Sequence, residues 1–203
     1  MWLFVVITVV AGYLLGDLNG AVIASKALGD DVRTHGSGNA GLTNFIRSYG
    51  AGHAALVIII DADKAIVGCL LGGILLGNEL GYQSGALLGG TAVMLGHVFP
   101  VFLNFRGGKG ILSGFFIALM VDYRVAIIIL AVFAVAYLAT GYVSLGSVLA
   151  SLTFGVAFAL LYFGQILIMI CGIFMGGLAI IMHGQNIVRL LKGEERKTNL
   201  FKK

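Results

Sequence analysis

Polar residues are almost excluded from long stretches of this chain. Seven apolar runs, residues 2–25, 54–77, 83–104, 110–121, 125–140, 145–163 and 165–187, take up most of its 203 residues. A bilayer core about 30 Å thick is crossed by about 20 apolar residues in helical form. An all-α polytopic membrane protein follows, with about seven transmembrane helices and short or partly re-entrant helical elements on one face. Charged residues make up 11% of the chain, against about 25% in soluble domains. The 31 glycines suit the close approach of helices in lipid. A single proline and no three-residue period exclude a collagen-like chain. Residues 1–203 are read as a single transmembrane domain.

The fourth run is the weak one. Its 12 residues rise only about 18 Å as a helix, so it is a short crossing, an embedded half-helix, or part of a bent unit broken at Asp122-Tyr123-Arg124. Charge decides the parity. With seven crossings, Lys26, Arg33, Arg47, Arg106, Lys109, Arg189, Lys192, Arg196, Lys197, Lys202 and Lys203 fall on one side, leaving only Lys64 and Arg124 elsewhere. That side is cytoplasmic by the positive-inside rule, which places the N-terminus outside. The opening run lacks a basic leader and a small-residue cleavage pattern, so it reads as a retained helix. The net charge of +4 reflects this orientation; dispersed among membrane loops, the cations do not form a nucleic-acid surface.

Three polar islands interrupt the apolar background on that same side. The first is "HGSGNAGLTNFIRSYG", His35–Gly50. Its glycines let backbone amides approach an anion. Thr43 or Asn44 is placed to cap a short helix through Tyr49, with Arg47 one turn along. The second is "GHVFPVFLNFRGGKG", Gly96–Gly110, where Gly107, Gly108 and Gly110 flank Lys109 ahead of an apolar helix starting at Ile111. It is not a P-loop, for the GxxxxGK[ST] spacing is absent. Pro100 is expected to kink the preceding helix. The third is "HGQNIVRLLKGEERK", His183–Lys197, where a continuing helix would put His183 and Asn186 on one face with Arg189 near them.

Inside the spans, Asp61 and Lys64 stand three residues apart and can form a structural ion pair that supports the loops; Asp17 lies deep in the first run. His53 and His97 are read as interfacial. Cys69 and Cys171 lie in separate apolar runs with no metal-ligand spacing, so neither a disulfide framework nor a metal site is expected. Amide-rich turns and cations on one face suit one or two phosphate-bearing molecules, bound and positioned electrostatically. A transporter or channel for a phosphorylated anion is the alternative, since broken helices also bind anions, although no inverted repeat is visible.

The stretches "GSGNAGLTNFIRSYG", "GHVFPVFLNFRGGKG" and "HGQNIVRLLKGEERK" resemble, in order and spacing, the three cytoplasmic signatures of the bacterial acyl-phosphate:glycerol-3-phosphate acyltransferases. The resemblance covers nearly the whole chain. It implies transfer of a fatty acyl group from acyl phosphate to the 1-hydroxyl of sn-glycerol 3-phosphate, in a multi-pass protein of the bacterial inner membrane. No cofactor or metal is implied, membrane lipid is the surrounding partner, and a monomer is compatible with the reading.

By that resemblance Ser37, Arg47, His183 and Asn186 are catalytic. Gly38, Asn39, Gly41, Thr43, Asn44, Arg106, Gly107, Gly108, Lys109 and Gly110 bind substrate, with Gly107–Gly110 as the glycerol-phosphate loop. Glu195, like Asp61 and Lys64, is structural. Gly184 and Glu194 depart from the commoner family pattern. The His-x4-Asp signature of soluble-type acyltransferases is absent: Ala40, Ile58, Phe102 and Val188 occupy the acid's position after the four histidines.

Overall fold

The computed structural model describes residues 1–197. Lys202 and Lys203, two of the cations used to orient the tail, lie outside the described residues. Among the described residues the structure is all-helical, and the chain groups into two compact units, Met1–Val121 and Asp122–Lys203.

The first unit opens with α1 (Trp2–Asp17) and α2 (Gly20–Ala27), which together form one apolar stretch of membrane-spanning length, Trp2–Ala27. They are divided at Leu18-Asn19. Asn19 caps α2, its Oδ1 accepting from the Val22 amide at 3.0 Å. After a 3-10 turn at Val32–Thr34 come α3 (Leu42–Tyr49), α4 (Ala54–Leu80), α5 (Tyr82–Val98) and α6 (Ile111–Val121). The second unit holds α7 (Tyr123–Thr140), α8 (Val143–Leu161), α9 (Ile166–Met182) and α10 (Gly184–Leu191). Asp122 starts it: its Oδ1 accepts from the Arg124 amide at 2.9 Å, and Tyr162 Oη donates to its Oδ2 at 2.9 Å, tying the start of α7 to the end of α8.

Among the described residues four stretches are long and apolar enough to cross a membrane: Trp2–Ala27, Tyr82–Leu103, Tyr123–Thr140 and Val143–Leu161. The bent pair α9–α10 makes a fifth if counted as one span. The expected seven is not reached by these criteria, for two physical reasons. At 27 residues α4 is about 40 Å long, but every 18-residue stretch of it holds three charges from among Asp61, Asp63, Lys64 and Glu79. The 11 residues of α6 are too short to cross alone.

Glycine contacts hold the first unit together. Gly68 and Gly72 of α4 face Gly85 and Gly89 of α5, so closely that a Cβ on Gly72 would overlap the Gly85 carbonyl and one on Gly89 the Gly68 carbonyl. Gly16 of α1 lies as close to the backbone of α5 at Val93, and Gly12 packs on α5 at Gly89 and Ala92 less tightly. With no solvent-driven collapse between helices in lipid, close backbone packing of this kind supplies the adhesion. In the second unit Gly176 of α9 approaches the backbone of α8 at Ser151 in the same way. A small apolar core of Ala21, Val22, Ala24, Val32, Ala40, Phe45 and Val57 lies beneath the first polar island.

Gly89→Ala is expected to destabilise the protein by about 1–3 kcal/mol, the usual cost of overpacking, because the opposing atom is backbone and cannot rotate away. Gly177→Ala, where among the described residues nothing outside the adjoining turns of its own helix lies within 4 Å of the added Cβ, is expected to leave stability unchanged or raise it. Thermal unfolding in detergent compares them; equal melting temperatures would remove the glycine contact as a source of stability.

Candidate active site

The first two islands fold into one polar corner of the first unit. The chain enters the first loop through Asp31 and Arg33, joined by hydrogen bonds at 2.7–3.2 Å. The Arg33 side chain holds the Asp31 carboxyl down to about 2, against the opposing effect of burial. Arg33 also donates to the Leu103 carbonyl at 3.3 Å, which brings the segment before the second loop alongside. Val32 N–H donates to Ser25 Oγ at 3.0 Å, fastening the turn to α2.

Asn44 organises the first loop from the inside. Its side chain is almost fully buried. Nδ2 donates towards the carbonyls of Val32, His35 and Asn39 at 3.0–3.1 Å, and Oδ1 accepts from the Ser37 amide at 2.9 Å. Gly36, at φ +58°, lies directly against Asn44 Oδ1, where any Cβ would collide. The expected cap at Thr43 or Asn44 is therefore replaced: both lie inside the first turn of α3, Gly41 is the N-cap, and no side chain caps the helix. Asn44 cannot cap because its amide is committed to the loop before it. Ser37 and Arg47 are exposed, while Asn39, Gly41 and Thr43 are half-buried.

The second loop begins where α5 ends. Pro100 follows the last helical residue, Val98, and starts a 3-10 turn at Val101–Leu103, so it stops the chain beyond a helix and does not kink one. Asn104 and Phe105 adopt left-handed φ of 55° and 58°, and Arg106 is exposed. Gly108 is buried, and its N–H donates to the His97 carbonyl at 3.0 Å. A Cβ on Gly108 would overlap His97 Nε2 and stand 2.8 Å from the Ala40 carbonyl. Gly108 is thus the point at which the second loop meets the first. Lys109 is half-buried, and Gly110, at φ +79°, turns the chain into α6.

Several loop amides that the sequence reading directs at an anion bond within the protein instead. Ser37 N–H goes to Asn44, Gly38 N–H to the His35 carbonyl at 2.9 Å, Gly41 N–H to the Asn39 carbonyl at 3.0 Å, and Gly108 N–H to His97. The reason is local geometry: tight turns bring a neighbouring carbonyl to Gly38 and Gly41, and the buried Asn44 side-chain amide to Ser37, while the buried Gly108 amide needs a partner within the protein. The loops also carry cationic side chains, and the first turn of α3 has no side-chain cap; both suit a phosphate by charge and dipole.

Beneath the loops is a buried polar cluster. Lys64 Nζ lies 2.7 Å from Asp61 Oδ1, 2.7 Å from His97 Nδ1 and 2.9 Å from the Leu18 carbonyl. Asp61 Oδ1 also accepts from Gly20 N–H at 3.2 Å. Asn19 Nδ2 donates to the Ala40 carbonyl at 3.0 Å. Asn19 and His97 are the residues that the sequence reading undervalued. The polar stretch "DLNG", Asp17–Gly20, inside an apolar run was the available signal for Asn19.

The third island belongs to the second unit. The expected continuous helix is broken at His183, where α9 and α10 meet at 57°. The apolar α9 and the amphipathic α10 suit different surroundings, hydrocarbon and interface, and the bend serves both. His183 is buried, and its ring Nδ1 lies 2.7 Å from the Ala179 carbonyl. A carbonyl only accepts, so Nδ1 carries the proton of the neutral ring. Glu195 folds back on α10, its Oε1 accepting from Asn186 Nδ2 at 2.9 Å and its Oε2 from Arg189 Nε at 2.7 Å. Burial would raise the Glu195 carboxyl, but the hydrogen bonds from Arg189 and Asn186 prevail and hold it below the usual glutamate value.

Comparison with known proteins matches residues 6–193 to the family model for glycerol-3-phosphate acyltransferase. The chain is 40% identical to a glycerol-3-phosphate acyltransferase of Thermoanaerobacter pseudethanolicus over 196 residues, 96% of each chain. With that of Caulobacter vibrioides it shares 39% over 195 residues, 94% of this chain and 86% of the relative. Among solved structures it resembles the integral membrane glycerol 3-phosphate acyltransferase PlsY (YgiH). In the glycerol 3-phosphate form the TM-score is 0.86 at 31% identity, covering 98% of this chain and 99% of that one. In the lysophosphatidic acid form it is 0.83 at 31% identity, covering 97% and 96%.

Glu195→Ala is expected to lower stability by about 1–2 kcal/mol, the range for charged hydrogen bonds reduced because Arg189 is partly exposed. The folded carboxyl titrates below its unfolded value of about 4.3, so this contribution is complete above that pH and is lost as pH falls through the folded pKa. Melting temperatures of parent and variant should therefore differ at pH 7 and converge on acidification. A difference undiminished at pH 3 would contradict the assignment.

Proposed function

Since this chain belongs to the glycerol-3-phosphate acyltransferase family, we propose that it takes its acyl group from an acyl phosphate and that the two loops of the first unit hold the two phosphates. The enzyme is a glycerol-3-phosphate acyltransferase, and the transporter alternative falls with that. The observation that supports the two-phosphate reading is the meeting of the loops at Gly108, against the Ala40 carbonyl. It gathers Ser37, Arg47, Arg106 and Lys109 on segments tied to one another.

In this reading the Gly107–Gly110 loop carries Lys109, with Arg106 beside it in sequence, to the phosphate of glycerol 3-phosphate. Ser37, Asn39, Thr43, Arg47 and the uncapped first turn of α3 receive the phosphate of the donor. Asn44, Gly38 and Gly41 shape the first loop. The glycerol 1-hydroxyl oxygen attacks the acyl carbonyl carbon, the bond from that carbon to the phosphate oxygen breaks, and lysophosphatidate and phosphate are formed. For His183 and Asn186 of the second unit a catalytic role rests on the motif resemblance; within that unit Glu195 holds Asn186 and Arg189 in place. The hydroxyl proton passes to the donor's own phosphate. His183 is the competing base, but the partner at its Nδ1 is a neutral carbonyl, which stabilises an imidazolium less than a carboxylate would. Two doubly charged substrates repel one another, so cations on fixed loops contribute by positioning and charge neutralisation.

The enzyme is placed in the bacterial inner membrane with seven crossings, α4 and α6 included, the N-terminus outside and all three islands cytoplasmic, because the Lys and Arg residues other than Lys64 and Arg124 then share one side. Single cysteines at Ser48, Asn104 and Lys192 should all react with an impermeant reagent applied from the cytoplasmic side. Labelling of any one from the outside would break the arrangement.

The activity test is incubation of the purified protein with acyl phosphate and glycerol 3-phosphate, scored by lysophosphatidate. Lys109→Ala should raise the glycerol 3-phosphate KM by about 10- to 100-fold, as loss of a charged hydrogen bond of about 1.5–3 kcal/mol requires. His183→Asn should retain appreciable turnover and the acid limb of the pH profile. Failure to use acyl phosphate would reject the donor; loss of about 10²- to 10⁴-fold in kcat with the acid limb abolished would make His183 the base.

A further inference from the structure

His97 is 3% exposed and is held on two sides. On one side its Nδ1 lies 2.7 Å from Lys64 Nζ, which is itself 2.7 Å from Asp61 Oδ1 and 2.9 Å from the Leu18 carbonyl. An ammonium group has only protons to offer, so Nδ1 accepts and the ring's own proton is on Nε2. On the other side the Nε2 edge stands against Cα of Gly108, where an added methyl would overlap it. The His97 carbonyl meanwhile accepts from Gly108 N–H at 3.0 Å, and Gly107 lies against the same carbonyl. Ring and backbone of one residue therefore bear on two successive residues of the loop that ends in Lys109.

We propose that His97 is a positioning residue for glycerol 3-phosphate. The Asp61–Lys64 pair fixes the orientation of the ring, the ring sets the path of Gly107 and Gly108, and that path determines where the Lys109 ammonium stands relative to the substrate phosphate. The inference rests on the reading of this loop as the glycerol 3-phosphate site. It gives the buried ion pair a role in substrate affinity as well as in folding. A residue that merely filled space would affect stability and the amount of active enzyme, lowering apparent kcat with both KM values unchanged; a residue that positions the loop raises one KM selectively.

His97→Asn separates these. Asn Oδ1 can still accept from Lys64, so the buried cation keeps a partner, while the Nε2 edge is removed. The expected result is a folded enzyme whose glycerol 3-phosphate KM rises about tenfold or more, the scale of a small misplacement of a binding group, with kcat at saturation and the acyl phosphate KM within about threefold of the parent. Gly108→Ala removes no buried partner and should show the same split by pressing on the ring from the loop side. In the His97→Asn, Gly108→Ala double variant the methyl no longer meets the ring and only its 2.8 Å approach to the Ala40 carbonyl is left, so the KM should be lower than the product of the two single effects.

A glycerol 3-phosphate KM within twofold of the parent in a folded His97→Asn variant would overturn the proposal. Should that variant not fold, a parent-like KM in Gly108→Ala would do the same. Lys109→Ala, assayed alongside, distinguishes the two levels: a normal KM there removes the phosphate-loop reading itself. A raised KM there beside a parent-like His97→Asn removes only the role of His97.

Discussion

The buried ammonium of Lys64 is the contact on which the polar half of the first unit depends. A charge away from water is tolerated only when it is paired and hydrogen-bonded, and Lys64 meets this with Asp61, His97 and the carbonyls of Gly16 and Leu18. Those two carbonyls belong to the end of α1, where a helix leaves acceptors without intrahelical donors. Asp61 in turn accepts from the first amide of α2. The interruption between α1 and α2 is thus built around an ion pair carried by a third helix. Without that pair the exposed ends of two helices would face each other in a region poor in water.

The same accounting of donors and acceptors explains how the first loop is held in place. Asn44 binds the first loop through four backbone groups, and Asn19 joins the same loop to the α1–α2 junction through the Ala40 carbonyl. Loops saturated internally present side chains from fixed positions, which is what the proposed recognition of two small anions requires. In the second unit the device is different. A single carboxylate, Glu195, draws the tail back against α10 and orients Asn186 and Arg189 together, so a short interfacial helix acquires a fixed polar edge.

The glycines divide by the same logic into two groups with different physical reasons. Gly68, Gly72, Gly85 and Gly89 let the backbones of α4 and α5 touch. Gly36 and Gly108 instead admit a polar side chain, Asn44 or His97, against the loop backbone. Composition alone signals only that glycine is abundant; which group a given glycine joins depends on what lies opposite it.

The helical character, the polar islands, the start of α6 at Ile111 and the pairing of Asp61 with Lys64 were legible because each depends on local composition or on spacing within one helix. The resemblance carried the activity, because the motifs are long and in order. The cap of α3, the break at His183 and the direction of the loop amides were not legible, since each is settled by a partner brought from elsewhere: Asn44 is drawn into the loop, α10 follows its surroundings, and Gly108 bonds to His97. Nor could spacing join His97 to Lys64, 33 residues earlier. Sequence determined which segments avoid water and which carry charge, because hydropathy and charge are properties of single residues. Tertiary structure decided which polar groups satisfy one another, because a hydrogen bond needs both partners in place.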